Sequence, residues 1–253
     1  MIITFLGTGT SQGVPVIACD CEVCLSVDYR DKRSRSSIHI AVDGLSLVVD
    51  TGPDFRTQIL RERIKTLDAI LYTHAHKDHT AGMDDVRSFN FKQKMDMPLY
   101  AHQEVIEQLQ KEFSYVFAET KYPGVPRVQT HEIINAPFQI GDTIVTPVEV
   151  MHYKLPVFGF RIKDFTYITD ANHIDEAEKE KIRGSKVLVL NALQKENHIS
   201  HFTLDEAVEM AQELGAEQTY FTHMSHKIGK QRDVEKELPD GIDFAYDGLK
   251  VEL

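Results

Sequence analysis

Four groups able to bind a metal ion, His74, His76, Asp78 and His79, fall within six consecutive positions of the run Thr73-His74-Ala75-His76-Lys77-Asp78-His79. The run directly follows an apolar stretch, residues 67–72, that reads as a strand. On an extended segment alternate side chains share a side, so His74 and His76 point together while Asp78 and His79 arrive from the turn beyond. A cluster split in this way can feed two adjacent ions. Imidazole and carboxylate donors suit Zn, Mn or Fe. The bland alternative is a polar loop with incidental histidines. It fits poorly, because three of the 12 histidines of the chain sit in this one short segment.

Around that cluster the chain reads as an ordinary globular sequence. Its 253 residues are 42% hydrophobic, enough to bury a core without disulfides, and we expect one domain over residues 1–253. The formal net charge is −11. A field of that sign repels polyanions, so extended nucleic-acid binding is not expected, whereas a small phosphorylated substrate held locally is compatible with it. No stretch approaches the ~20 apolar residues of a membrane span. The opening MIITFLGTGT lacks the basic and apolar regions of a secretion signal, so the expected compartment is the cytoplasm and no membrane partner is expected.

Residues 1–7 read as a strand and 37–50 as a hairpin turning at Asp43-Gly44. Helices are expected at 54–64, 103–112, 174–183 and 204–214. The last opens with the capping box Thr203-x-x-Glu206 and is closed by Gly215. Further strands are expected at 131–151, 157–169, 186–190 and 218–222. The aromatic, proline-containing segment 113–130 reads as a surface loop or lid. Two β-rich layers with helices packed outside follow from this order.

The run at 74–79 resembles the HxHxDH signature of the metallo-β-lactamase superfamily. Asp50-Thr51-Gly52, His152, Asp170 in YITDANH and His223 in YFTHMSH follow in the order that family uses. The resemblance implies a four-layer αββα sandwich, with α/β class and the metal site at one edge. It implies that His74, His76 and His152 hold one divalent ion and that Asp78, His79 and His223 hold the other. Asp170 would bridge them, Asp78 would be catalytic as well as a ligand, and Asp50 would orient a ligand from behind. Two cations about 3.5–4 Å apart lower the pKa of a shared water, so a metal-bridging hydroxide is the expected nucleophile.

Cys19, Cys21 and Cys24 supply three thiolates, one short of a closed tetrahedral zinc site, and His226 is the expected fourth ligand. The alternative is three reduced surface thiols. The CDCEVC run, GTGTSQGVP at 7–15, THMSH at 222–226 and the terminal AYDGLKVEL are similar to the PhnP-like phosphodiesterase branch, more distantly to ribonuclease Z. There a structural zinc accompanies the catalytic pair. His201, before the capped helix, resembles the histidine that this branch uses as general acid or phosphate contact, and it is preferred here to His198. The glycines of 7–13 do not fit G-x-G-x-x-G and read as a tight loop near the metals. The basic run 30–37 reads as a solvated loop. Phe89, Phe91, Phe113, Tyr115 and Phe117 read as core or interface.

These observations lead to a dinuclear hydrolase that cleaves a small phosphodiester, cyclic ones included, to a phosphomonoester. It would carry two divalent catalytic ions (Zn, Mn or Fe) and one structural zinc. A homodimer is expected from the resemblance alone. The rival readings are a ribonuclease Z-like tRNA 3′-processing enzyme, a thioester, lactone or β-lactam hydrolase, and a non-catalytic metal-binding scaffold. Net charge and the absence of a basic tRNA-gripping arm oppose the first, and the complete ligand set opposes the last. An iron oxidoreductase of this fold would need a further flavodoxin-like domain.

Overall fold

The apolar strands are buried on both faces, and this dictates a layered arrangement rather than a half-exposed sheet. In Val187–Asn191, for example, Val189 packs inward between two sheets while Leu188 and Leu190 pack outward under helices. The computed structural model describes residues 1–120 and 122–253. The chain runs β1 (Ile2–Gly7), β2 (Ser37–Val42), β3 (Leu45–Val49), α1 (Phe55–Arg61), β4 (Ala69–Leu71), α2 (Lys77–Thr80), α3 (Arg87–Gln93), β5 (Met97–Ala101), α4 (Gln103–Glu112), α5 (Ser114–Phe117) and β6 (Val128–Glu132). The second half runs β7 (Phe138–Ile140), β8 (Thr143–His152), β9 (Leu155–Ile162), β10 (Phe165–Tyr167), α6 (Glu176–Ile182), β11 (Val187–Asn191), α7 (Leu204–Leu214), β12 (Gln218–Thr222), α8 (Gln231–Val234), β13 (Ile242–Phe244) and β14 (Lys250–Glu252).

Two seven-stranded sheets result, ordered β14-β1-β2-β3-β4-β5-β6 and β13-β12-β11-β10-β9-β8-β7. Ile3, Phe5, Ile38 and Leu47 of the first face Phe158, Phe160, Phe165 and Val189 of the second. The outer face of the first sheet packs Val48 and Ile70 against Phe55, Ile59 and Phe89 of the helices. The outer face of the second packs Leu188 and Phe221 against Leu204, Ala207 and Leu214. This is the expected αββα sandwich, with its metallo-β-lactamase layering. Among the described residues no helix is long and apolar enough to cross a membrane.

Local chemistry explains the elements. Asp43 and Gly44 both take positive φ, 50° and 81°, as a two-residue hairpin turn requires. Thr203 caps α7 reciprocally with Glu206, and Gly215 ends it at φ 66°. Two expectations need correction. The segment 113–130 is not one open lid: Ser114–Phe117 forms a helical turn that buries Val116, and strand β6 begins at Val128. Lys121, within the same segment, lies outside the described residues. The basic run 30–37 is not simply solvated either. Arg33 is buried, donating to Thr8 Oγ1, the Ala245 carbonyl and Gln231 Oε1, because a buried guanidinium must satisfy its donors internally.

The loop after β3 and the helix α2 approach so closely that glycine is required. A Cβ on Gly52 would overlap the Asp78 carbonyl oxygen, and one on Gly82 would overlap the Gly52 carbonyl oxygen. The Thr51 amide donates to the His79 carbonyl and the Gly82 amide to the Thr51 carbonyl, at 2.7 and 2.8 Å. Gly52→Ala is therefore expected to cost about 1–3 kcal/mol by overpacking. Thermal denaturation should show a Tm lower by about 2–4 °C per kcal/mol, and an unchanged Tm would refute the close packing.

Candidate metal centre

Strand direction brings the site together. β3 and β4 run parallel in one sheet; in the other, β8 and β10 are both antiparallel to β9, and β10, β11 and β12 are parallel. The C-terminal ends of β3, β4, β8, β10 and β12 thus deliver Asp50, His74, His152, Asp170 and His223 to the same edge. Asp50, Asp170 and His223 take left-handed backbone, φ 63°, 54° and 57°. That conformation is unfavourable for residues other than glycine and concentrates at functional sites, where the surrounding fold holds it.

His74, His76, His152 and Asp170 form one group whose ligand atoms all lie within 4.8 Å of one another; Asp78, His79, Asp170 and His223 form a second on the same criterion. Asp170 belongs to both. Its Oδ1 stands 3.3 Å from His79 Nε2 and 3.2 Å from His223 Nε2, and its Oδ2 stands 3.8 Å from His74 Nε2. Asp78 Oδ2 lies 3.2 Å from His79 Nε2 and 3.6 Å from His223 Nε2.

Hydrogen bonds behind these groups set which nitrogen faces inward. Asp50 Oδ2 accepts from His79 Nδ1 at 2.7 Å and from Thr73 Oγ1 at 2.8 Å. With that hydroxyl proton committed, Thr73 Oγ1 accepts from His74 Nδ1 at 2.9 Å. His152 Nδ1 donates to the Ser200 carbonyl at 2.8 Å. In His79 and His152 the Nε2 lone pair is left to face the gap, and His74 Nε2 stands 2.9 Å from His76 Nδ1, another nitrogen of the same donor group, the usual arrangement around a bound ion. His79 Nε2 and His223 Nε2 are buried without a hydrogen-bond partner. Buried polar atoms are rarely left so, and a divalent cation in the gap satisfies them. The donor set of imidazoles and carboxylates therefore fits such an ion on this geometry.

The charges interact strongly. Burial alone would depress His79, but Asp170, Asp50 and Asp78 outweigh it and hold the imidazole well above its usual range. Burial pushes His74 well below it, aided by His79. Burial would raise Asp170, yet His223 and His79 hold it well below the ordinary carboxylate range. Asp50 is raised by its complete burial.

His201 joins the cluster. Its ring centroid lies 4.5 Å from that of His152 and stacks 4.8 Å from that of His223, while His198 stands further out, 5.1 Å from His201. Burial, then His223, pushes His201 down to about 3.

The cysteines form a separate cluster with His226. Its Nδ1 is 3.3 Å from the sulfurs of Cys19 and Cys21 and 3.6 Å from that of Cys24. These lengths approach the edge of about 3.6 Å expected for a tetrahedron with Zn–N near 2.1 and Zn–S near 2.3 Å. The Cys24 amide donates to Cys21 Sγ, which lowers the Cys21 thiol to about 6, while burial raises Cys24 to about 11. The glycine loop of 7–13 pairs with the residue after His223: the Thr10 amide donates to the Met224 carbonyl, and the Met224 amide to that of Thr8.

Every proposed ligand is thus brought into one of three groups. Sequence reasoning missed Thr73 and the Ser200 carbonyl. Thr73 adjoins the motif and could have been found there; the Ser200 carbonyl leaves no side-chain signal.

Comparison with known proteins agrees with this geometry. The beta-lactamase superfamily domain matches residues 46–224. A crystal structure of a diphosphatase from the PhnP family superposes with a TM-score of 0.93 and 41% identity, covering 100% of this chain and 97% of that one. Among curated proteins, an octanoyltransferase of Porphyromonas gingivalis is 37% identical over 248 residues, 97% of this chain and 50% of its own length. The mitochondrial ribonuclease Z 2 of Schizosaccharomyces pombe is 24% identical over 217 residues, 78% of this chain and 32% of its own length. The chain therefore spans half or less of these two curated relatives. It belongs to the beta-lactamase superfamily, and within it is similar to the PhnP family.

Proposed function

We propose that the protein is a metal-dependent phosphodiesterase of the cytoplasm, hydrolysing a small phosphodiester, linear or cyclic, to a phosphomonoester. The observation that carries this reading is the position of His201, whose ring stands against a histidine of each donor group. His74, His76, His152 and Asp170 would hold one divalent ion, and Asp78, His79, Asp170 and His223 the other, with Zn, Mn and Fe all suited to such donors. Cys19, Cys21, Cys24 and His226 would hold a structural zinc. When bound, a pair of such ions acidifies water and polarises a phosphoryl group.

The residues of the chain do the rest. Neutral His201 carries a single N–H. Its Nδ1 is buried and unpartnered, so the proton is best held at Nε2, where the N–H would offer a hydrogen bond to a phosphoryl oxygen, a phosphate contact rather than a general acid. The His152 bond to the Ser200 carbonyl fixes the loop that bears His201. Asp50 holds His79 directly and His74 through Thr73, so one bond network orients a ligand from each donor group. The similarity to a PhnP-family diphosphatase supports phosphoryl chemistry, and the net charge of −11 weighs against a tRNA substrate.

A second reading has its own observation. The octanoyltransferase relative suggests that the site acts on an acyl ester or thioester. We would assay the metal-analysed protein on bis(p-nitrophenyl) phosphate, a diphosphate diester, an octanoyl thioester and a β-lactam, with Asp78→Asn alongside. The expected result is metal-dependent turnover of the phosphodiester, reduced at least tenfold in the variant, since even partners behind a ligand contribute 10–100-fold. Preferential thioester cleavage would establish the acyl reading. No diester turnover with both metal positions filled would refute the phosphodiesterase.

A further inference from the structure

We propose that Asn191 is a positioning residue of the metal centre, holding the shared ligand Asp170 in its left-handed conformation and in register with His223. The role concerns the ligands alone and does not depend on which ester is cleaved.

Asn191 ends β11, an otherwise apolar strand, and is 0% exposed. Asparagine is depleted in strands, and a buried carboxamide is costly unless its polar atoms are bonded. Here both are taken up by a single residue. Asn191 Oδ1 accepts from the Ala171 amide at 2.8 Å, and Asn191 Nδ2 donates to the Ala171 carbonyl at 2.9 Å. A carboxamide suits this task because it presents an acceptor and a donor side by side, matching one backbone N–H and C=O.

The bond to the Ala171 amide is the one that reaches the site. That N–H lies in the peptide plane that also carries the Asp170 carbonyl, so holding it restrains ψ of Asp170. Upstream, the Ile168 amide bonds to the Val189 carbonyl as the segment leaves the sheet; among the described residues its backbone is next fastened at Ala171. Asp170 stands between these two points at φ 54°. Two other bonds do not replace the clamp. The Thr169 hydroxyl donates to Asp170 Oδ1 at 2.6 Å and turns the carboxylate, but it comes from the same stretch. The Phe202 amide donates to the Ala171 carbonyl at 2.8 Å, which lies on the far side of that residue from Asp170. Through its own backbone Asn191 pairs with Thr222, the residue before His223. It is thus tied to the neighbours of two left-handed ligands, whose Asp170 Oδ1 and His223 Nε2 stand 3.2 Å apart.

The test titrates the protein with cobalt(II). Thiolate ligands give cobalt an intense near-ultraviolet charge-transfer band that imidazole and carboxylate ligands lack, so the Cys3His cluster and the catalytic groups are read separately. The visible d–d absorption reports the geometry of the latter. Asn191→Leu keeps nearly the same volume and removes both bonds; Asn191→Thr suits a strand but is too short to make both, and decides the matter if the leucine variant does not fold. Cobalt is expected to bind about 10–100-fold more weakly at both catalytic groups, because Asp170 is shared, with an altered d–d spectrum and an unchanged thiolate band. Gly215→Ala controls for stability: it strains the end of α7, where φ is 66° and no atom outside the neighbouring residues and the helix backbone stands near the added methyl, so it lowers Tm while leaving cobalt binding intact. Undiminished cobalt affinity with an unchanged visible spectrum in a folded Asn191 variant, equal weakening in Gly215→Ala, or failure of both Asn191 variants to fold would each reduce Asn191 to a structural residue. No cobalt at the catalytic groups of the unsubstituted protein would overturn the centre and this role together. The expected shifts in a protein that hydrolyses no phosphodiester would refute the phosphodiesterase and leave the role of Asn191 standing.

Discussion

Asp170→Asn is expected to leave the Cys3His cluster loaded but empty both groups of the catalytic centre, so that bound metal falls from three ions per chain to one, matching the three groups of potential ligands. Hydrolysis should fall on the order of a thousandfold or more, beyond the 10–100-fold that partners behind a ligand contribute. The reason is that Asp170 alone is shared: one oxygen faces His79 and His223, the other faces His74. Asparagine preserves volume and tolerates the left-handed backbone at φ 54°, so the fold has no steric reason to change. What is lost is the negative charge that a pair of cations requires at the shared position. Metal analysis after dialysis, with a thermal melt to verify folding, gives the answer. Retention of two catalytic ions by a folded variant would show that the flanking histidines suffice and that Asp170 does not bridge.

How much of this could be read from the chain depends on whether the cause is local. The hairpin at Asp43-Gly44, the cap of α7 and the ligand cluster at 74–79 are each encoded by neighbouring residues, and they stand where the sequence places them. The distant partners His152, Asp170 and His223 carry weak signals individually and are legible only through their order and strand-end placement in the family resemblance, and His226 through its place three residues after His223 and the fourth ligand that three thiolates lack. Side-chain chemistry satisfied across the fold was not legible. Arg33 sits in a run that looks solvated, yet its partners are Thr8, Ala245 and Gln231, far away in sequence. The same holds for 113–130, where Val116 is buried by residues from other elements. The left-handed backbone at Asp50, Asp170 and His223 has no sequence signature either, because tertiary packing enforces it against local preference.

That distinction bears on the Cys3His cluster, for which we expect an effect at a distance. Cys21→Ser should abolish metal at this cluster and, in addition, weaken occupancy of the Asp78, His79, Asp170 and His223 group by about 10–100-fold, while the His74 group is unaffected. His79 is anchored by Asp50 and His152 by the Ser200 carbonyl. The Nδ1 of His223 has no hydrogen-bond partner, so its ring is aimed by its backbone and by stacking on His201 rather than by a bond behind it. That backbone is held on one side by Met224 bonded to the Thr8–Thr10 loop and, three residues on, by His226 within the thiolates. Losing the cluster frees one restraint on a residue already in left-handed conformation, while the Met224 bonds and the bond of the Ser225 amide to the Leu193 carbonyl remain. Metal titration of the variant, following each catalytic position separately, discriminates between the possibilities. Weakening confined to the His223 group identifies the cysteine cluster as a clamp on the catalytic edge. Unchanged affinity at both catalytic positions would mean that the remaining backbone bonds and the His201 contact aim His223 without the cluster, and that the cluster stabilises only its own loop.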